Sequence, residues 1–449
     1  LLIYAYANGE FSSRKIEHAT VRDMGFRYLT ADTQPDHDTI CKFRRENFGA
    51  ITAAFTDVLE LATELKLLKF GTVALDGTHI KAGASIDQNV THGRAVEIRE
   101  ELRSEIDGLL AKAEEADLSG EEEGRLPEEI ARREKLAAKM DRAIGELEKR
   151  AAARDAKALA KHEKKLDERK KKEEETGKKL RGRPPKAPET GPENSTGQAN
   201  LTDPDSRIMR KNKRSGYTQS YNAQAAVDVG GSQLVVGGHV SQSASDSTEL
   251  ENGVGCIPES LGRPSQMLAD AGYVDADAIG RVEGGGTEVY CSVHREDAHG
   301  ERRHDFRPKK QRGRPVKKVK DPRLVAMKEK LQTEEGKALY AKRNHTVETA
   351  FGIIKEVMGF RAFMLRGLEK VSGEWNLVCL SYNLKRMHRM IGGRDAVITP
   401  ENPRPGAPCA RESVLRTWIF MIAHFARKIF ASLSALSCGN PCRTPPLPA

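Results

Sequence analysis

Three carboxylates stand where carboxylates can do chemistry. Asp76 closes a short apolar strand, Phe70-Gly-Thr-Val-Ala-Leu75, and precedes Gly77; Asp270 closes a second, Gln266-Met-Leu-Ala269, and precedes Ala-Gly-Tyr273. Glu348 lies in the stretch Tyr340 to Lys355, which reads as one helix. Val347, Phe351 and Ile354 form its apolar stripe, and Tyr340, Arg343 and Lys355 bracket the glutamate about one and two turns away. An aspartate at the carboxyl end of a buried strand sits where open α/β sheets place ligand groups. A glutamate beside Arg and Lys is easier to keep ionised. Oxygen donors of this kind suit two hard divalent cations about 3.5–4 Å apart, one activating a hydroxyl and the other stabilising a leaving oxygen in phosphoryl transfer. Each residue also has an ordinary reading. Asp-Gly after a strand is a common turn, and charges at i, i+4 and i+7 are a solvated helix face.

The elements that must position these groups follow from patterning. Residues 1–70 alternate capped helical segments: Ser12-Ser13 opens one helix, and Pro35-Asp36-His37-Asp38-Thr39 opens another that runs through Ile40, Phe43 and Phe48. Arg44 and Arg45 are expected on the exposed side of that helix, either as contacts to phosphate or as a plain solvated face. From Arg94 to Glu175 the chain is dominated by Ala, Glu, Lys, Arg and Leu. Ile98, Leu102, Ile106, Leu109 and Ala113 make one helical stripe, and Pro127 restarts a second through Ile130, Met140, Ile144, Leu147 and Ala151. This predicts a helical hairpin or coiled coil inserted between strands, becoming a solvated Lys/Glu-rich extension after Lys161. Strands are expected at 217–228, 233–240, 266–269 and 288–293, with helices starting near Asp246 and Asp275 and a last amphipathic helix from Glu374.

The 449 residues, 38% of them apolar, can bury a sizeable core in two to four domains. The net charge of +9 is uneven: Lys161–Lys186 carries +6 and Glu301–Lys320 carries +8, which leaves the remainder at −5. Basic charge gathered into two short stretches points to local contact with a polyanion. Each stretch contains Arg-Gly-Arg-Pro, at Arg181-Gly-Arg183-Pro184 and Arg312-Gly-Arg314-Pro315. The tetrapeptide resembles the core of the AT-hook, whose arginines enter a narrow A·T-rich minor groove. Seven cysteines without a C-x-x-C pair read as free thiols of a reducing compartment, and the expected location is cytoplasmic. No signal peptide is evident, and the apolar run Trp418–Ala426 is far shorter than a membrane span, so no membrane partner is expected. The chain opens Leu-Leu-Ile-Tyr without methionine and reads as a fragment truncated at its start.

In order along the chain, several fragments resemble bacterial insertion-sequence transposases of the DDE superfamily. They are Pro35-Asp-His-Asp-Thr-Ile with Phe43-Arg, Leu75-Asp76-Gly-Thr with Ala82-Gly-Ala-Ser, Thr202-Asp-Pro-Asp-Ser-Arg, Ala269-Asp270-Ala-Gly-Tyr, and Tyr340, Arg343, Glu348 and Lys355. The resemblance covers about residues 1–390. It implies an α/β, ribonuclease H-like mixed sheet flanked by helices, with an N-terminal helical domain and a helical-hairpin (coiled-coil) insertion. The domains expected are an N-terminal helical one at 1–70, a catalytic one at 71–93 and 200–392, an inserted hairpin with basic linker at 94–199, and a poorly ordered Pro-rich tail at 393–449. The resemblance further implies Asp76, Asp270 and Glu348 as the catalytic, metal-binding triad for two Mg2+ or Mn2+ ions. Tyr340, Arg343 and Lys355 then support the glutamate and touch DNA, alongside Arg181, Arg183, Arg312 and Arg314. The expected activity is metal-dependent cleavage and strand transfer on double-stranded DNA by a homodimer assembled on that DNA, in the bacterial nucleoid. Two other readings are a metal-dependent nuclease of the same fold and an inactive, architectural DNA-binding protein.

Overall fold

A computed structural model of the chain describes residues 1–119, 126–177, 182–192, 197–210, 216–293 and 321–395. It divides into two compact units, Leu1–Ile80 with Asn222–Ala449, and Lys81–Tyr221. The tail after Asp395, Arg181, and Arg312 and Arg314 of the second basic linker lie outside the described residues.

The first unit opens with five helices, α1 (Leu2–Ala7), α2 (Ser13–Arg22), α3 (Met24–Leu29), α4 (His37–Glu46) and α5 (Phe48–Glu64). As the sequence predicts, Asp36 caps α4, its side chain accepting the Thr39 N–H at 2.6 Å. Ala5, Ile16, Phe26 and Ile40 close a small core among these helices. Ile40 and Arg44, four residues apart, are the pair of α4 that turns inward. Phe43, rotated off that face, is 54% exposed, and Arg44 is buried rather than set out for phosphate. Its Nη1 donates to the Tyr6 hydroxyl and to the Phe11 carbonyl, both at 2.8 Å. Strand β1 (Thr72–Lys81) follows; its fully buried run ends at Leu75, and Asp76 is the first half-buried residue after it. The strand itself continues five residues beyond the aspartate.

The second unit holds β2 (Asn89–Thr91), α6 (His92–Ser119), α7 (Leu126–Thr176), β3 (Gln198–Asn200) and β4 (Arg207–Met209). Ala95 and Leu102 of α6 pack on Ala137, Met140 and Ile144 of α7, which is the hairpin the two stripes predict. The last buried residue of α7 is Ala151, yet the helix runs on to Thr176, about 77 Å in all at 1.5 Å per residue. Side-chain pairs such as Arg169–Glu173 replace core packing over this stretch. Arg169 also donates to the carbonyls of Gly182 and Arg183, laying the start of the basic linker back along the helix with the Arg183 side chain exposed. The motif at 202–207 is structural here: buried Asp203 accepts the Tyr221 hydroxyl at 2.9 Å, and Arg207 reaches Glu146 of α7 at 3.1 Å. Antiparallel pairing of β2 with β3 ties the two ends of the hairpin together.

The chain then completes the first unit with β5 (Thr218–Asp228), whose first residues belong to the second unit and pair there with β4. There follow β6 (Val235–Ser241), α8 (Leu250–Gly255), β7 (Gln266–Ala269), α9 (Ala276–Gly284), β8 (Glu288–Cys291), α10 (Pro322–Gln332), α11 (Glu334–Ala341), α12 (Val347–Gly352) and α13 (Leu368–Asp395). The strand order in this unit is β6-β5-β1-β7-β8, with β6 antiparallel to β5 and with β1, β7 and β8 mutually parallel. This mixed sheet flanked by helices is ribonuclease H-like. Helix α13 is anchored to it by polar bonds inside the core. The Trp375 indole donates to the Gln224 carbonyl at 2.9 Å, and the Asn383 amide takes and gives a bond at Val235, both 2.8 Å. Gly238 makes this possible, because a Cβ there would lie 3.1 Å from the Trp375 ring nitrogen. Among the described residues no helix is long and apolar enough to cross a membrane.

Candidate active site

The register of the parallel sheet brings the two aspartates together. Ala74 of β1 faces Leu268 of β7, so Asp76 and Asp270, each two residues further on, leave the paired region side by side. Asp76 is 20% exposed; Oδ1 accepts the Gly77 N–H at 2.8 Å and Oδ2 faces the Arg343 guanidinium at 3.5 Å. Asp270 caps the short turn Ala271–Tyr273, its Oδ1 accepting the Gly272 N–H at 2.7 Å.

The third carboxylate arrives differently from expectation. The stretch from Tyr340 to Lys355 is not one helix: α11 ends at Ala341, turns occupy 342–346, α12 carries Glu348 in its first turn, and Ile353–Val357 is wound as a π-helix. The break takes Arg343 off the helical path, and the wide turn resets the phase of Lys355. Lys355 Nζ donates to the Thr78 hydroxyl and, at 3.1 Å, to the His79 carbonyl, just beyond Asp76 on β1. Glu348 is exposed. Its link to the aspartates runs through Arg343, which interacts electrostatically with Asp76, Asp270 and Glu348 and lies 5.9 Å from the Tyr340 ring centre. The Arg343 Nε–H is buried and has no acceptor.

A fourth carboxylate, Asp246, stands beside the first two, although the sequence marks it only as a helix start. It opens a short turn before α8, and its Oδ1 accepts from Asn222 at 2.7 Å and Gln224 at 2.6 Å. The Gln224 side-chain Oε1 in turn accepts the hydroxyl of fully buried Tyr273. The available signal was Asn222 and Gln224 themselves, polar residues two apart on one face of a strand that is buried along nearly its whole length.

These groups have the chemistry of a cation site. The Asp76 carboxyl is pushed up to about 7, first by burial and then by the charge of Asp270. A carboxylate whose proton affinity is raised by a neighbouring negative charge is relieved by a divalent ion as well as by a proton, and hard oxygen donors suit Mg2+ or Mn2+. Among the described residues no three His, Cys, Asp or Glu side chains are drawn close enough to hold an ion, so the carboxylates share a field without a closed coordination sphere.

Linkage gives this a pH signature. The unfolded value of an aspartate is about 3.9. Between about pH 4 and pH 7 the folded chain therefore keeps a proton at Asp76 that the unfolded chain has lost, and this site's contribution to stability falls as pH rises. Asp76→Asn removes the slope. In chelator, urea midpoints of parent and variant are expected to meet near pH 4, to separate in the variant's favour as pH rises to about 7, and to keep that gap above it.

Residues 301–388, which include Tyr340, Arg343, Glu348 and Lys355, match the family model described as Transposase DDE domain. Residues 1–46 match the one described as Transposase domain (DUF772). Asp76, Asp246 and Asp270 lie outside both matches. No curated protein and no solved structure matches the chain.

Proposed function

Given that the chain belongs with the insertion-sequence DDE transposases, we propose that it cuts double-stranded DNA at the ends of an insertion sequence and joins the freed 3′ ends to a target. Asp76, Asp270 and Glu348 are the carboxylates that hold the metal. The observation that carries this reading is the register of β1 against β7, which sets Asp76 and Asp270 side by side with Arg343 3.5 Å from Asp76. When bound, Mg2+ or Mn2+ ions supply Lewis-acid stabilisation and a nucleophile at neutral pH. The chain's own part is to position and to neutralise. Asp76, whose carboxyl is pushed up to about 7, would hold the ion as its carboxylate. Arg343 offers its unpartnered Nε–H to a phosphate oxygen, and Lys355 and Tyr340 line the approach. The partner is DNA, engaged by two copies of the chain in the cytoplasm.

The test is incubation of the purified chain with DNA carrying the element's ends, in Mg2+ or Mn2+. Nicks leaving 3′-hydroxyls, followed by joined products, are expected. Cleavage without joining would make it a nuclease, and binding without cleavage an architectural protein.

The Arg-Gly-Arg-Pro segments are the second proposed DNA-binding feature. Replacing Arg181, Arg183, Arg312 and Arg314 together should lower the slope of log affinity against log salt by roughly 0.9 for each phosphate that is no longer neutralised. Affinity should fall further on A·T-rich DNA, whose narrow minor groove attracts arginine most strongly. A salt titration of binding measures both, and an unchanged slope would reduce the segments to tethers.

A further inference from the structure

The polar cluster behind Gly77 belongs to the cation site. Gly77 follows Asp76 directly, and a Cβ there would overlap the Gln224 amide nitrogen and lie 2.5 Å from Asp246 Oδ1 and 2.8 Å from Asn222 Oδ1. The backbone beside the first aspartate is thus pressed against these three side chains. Two of their oxygens are informative. Asn222 is 1% exposed, and its Oδ1, aimed at this point, has no hydrogen-bond partner. A buried amide oxygen is seldom left without a donor or a cation.

Asp246 is held still by the two amide donors on Oδ1, so its other oxygen is fixed in direction. That oxygen lies 3.6 Å from where a Cβ on Gly272 would be, and Asp270 Oδ1 lies 2.8 Å from the same point. Asp246 and Asp270 therefore flank one small volume, next to the strand that carries Asp76.

We infer that Asp246 is a further ligand residue of the divalent-cation site, presenting Oδ2 beside Asp76 and Asp270, with Asn222 Oδ1 as a neutral oxygen donor behind it. The inference rests on the reading of Asp76 and Asp270 as cation-holding residues. It differs in assigning a hard-oxygen ligand in addition to Asp76, Asp270 and Glu348, from the turn that precedes α8. Electrostatics agree with it: Asp76, His79 and Tyr273 each sense the Asp246 charge.

The experiment is Mn2+ binding to the full chain without DNA, followed by electron paramagnetic resonance of the free ion, for the parent, Asp246→Asn, Asp246→Glu and Asp76→Asn. Asp246→Asn keeps the shape and the acceptor for Asn222 and Gln224 but removes the charge. Its Mn2+ affinity is expected to fall about 10-fold or more. Its metal-free melting temperature should stay level or rise as repulsion is relieved, and Asp246→Glu should recover part of the affinity. Parent-like Mn2+ affinity in Asp246→Asn would overturn the inference while leaving the triad intact. Parent-like affinity in Asp76→Asn, or no binding by the parent, would overturn the triad reading and this inference with it. Should Asp246→Asn fail to fold, Mn2+ anomalous scattering in crystals of the parent decides: a peak within bonding distance of Asp246 supports the assignment, and one bonded only to other carboxylates refutes it.

Discussion

Asp76→Asn is expected to lose at least ~1000-fold in metal-dependent DNA cleavage while its affinity for DNA holds or rises. Stabilisation of transition-state charge by a bound metal amounts to several kcal/mol, and each ~1.4 kcal/mol is a factor of ten in rate. Asparagine keeps the volume and one oxygen, so the backbone bond at Gly77 can remain while the ligand charge goes. DNA affinity behaves oppositely. Asp76 is the ion-pair partner of Arg343 at 3.5 Å, and neutralising it both removes repulsion toward phosphate and frees the guanidinium. Nicking assays in magnesium and manganese, beside a binding titration at fixed salt, measure the two effects separately. Full cleavage by the variant would remove Asp76 from the triad. Loss of binding in step with cleavage would place Asp76 in the fold rather than in the chemistry.

The second large effect lies far from the carboxylates. Arg44→Ala is expected to destabilise the first unit by about 3–5 kcal/mol, the cost of leaving a buried charge without its partner. Arg44 is 3% exposed and Glu374 is fully buried, with 3.9 Å between them and the Tyr6 hydroxyl bonded to both. Burial raises the proton affinity of Glu374, against the pull of Arg44. Without the arginine that pull is lost, and Glu374 is left to the Tyr6 hydroxyl at 2.6 Å and the Met364 and Leu365 N–H groups at 3.0 and 2.9 Å. Tyr6→Phe should cost less, about 1–3 kcal/mol, because it leaves polar atoms short of one partner and removes no charge. Urea midpoints of the two variants test the order. A double variant, Arg44→Met with Glu374→Gln, should be less destabilised than Arg44→Ala, since no buried charge is then left alone. Equal and small losses in Arg44→Ala and Tyr6→Phe would mean the arginine is solvated and the Arg44–Tyr6–Glu374 cluster energetically idle.

The same side chains mark where local sequence stops being informative. Periodicity and caps are properties of neighbouring residues, so the α4 cap at Asp36, the α9 cap at Asp275 and the paired stripes of α6 and α7 were readable directly. So was the change at Leu75, where an apolar strand yields to a polar residue that must face something other than core. Three features were not readable. Arg44 looks like any surface arginine until a helix from the other end of the unit supplies a buried glutamate. The run from Tyr340 to Lys355 has helical spacing throughout, and nothing local marks its division into helix, turn and π-helix, in which Arg343 faces Asp76 and Lys355 bonds to β1. Asp246 has no spacing relation to Asp76 or Asp270. It reaches them because β5 and β1 are neighbours in the sheet and two amides of β5 hold it there. By itself the sequence determined where apolar runs give way to polar residues, which residues cap helices and which carry charge, because those preferences act over a few bonds. Only the tertiary structure decided which of these charges meet, because strand order and register set distances between residues that have no local means of sensing one another.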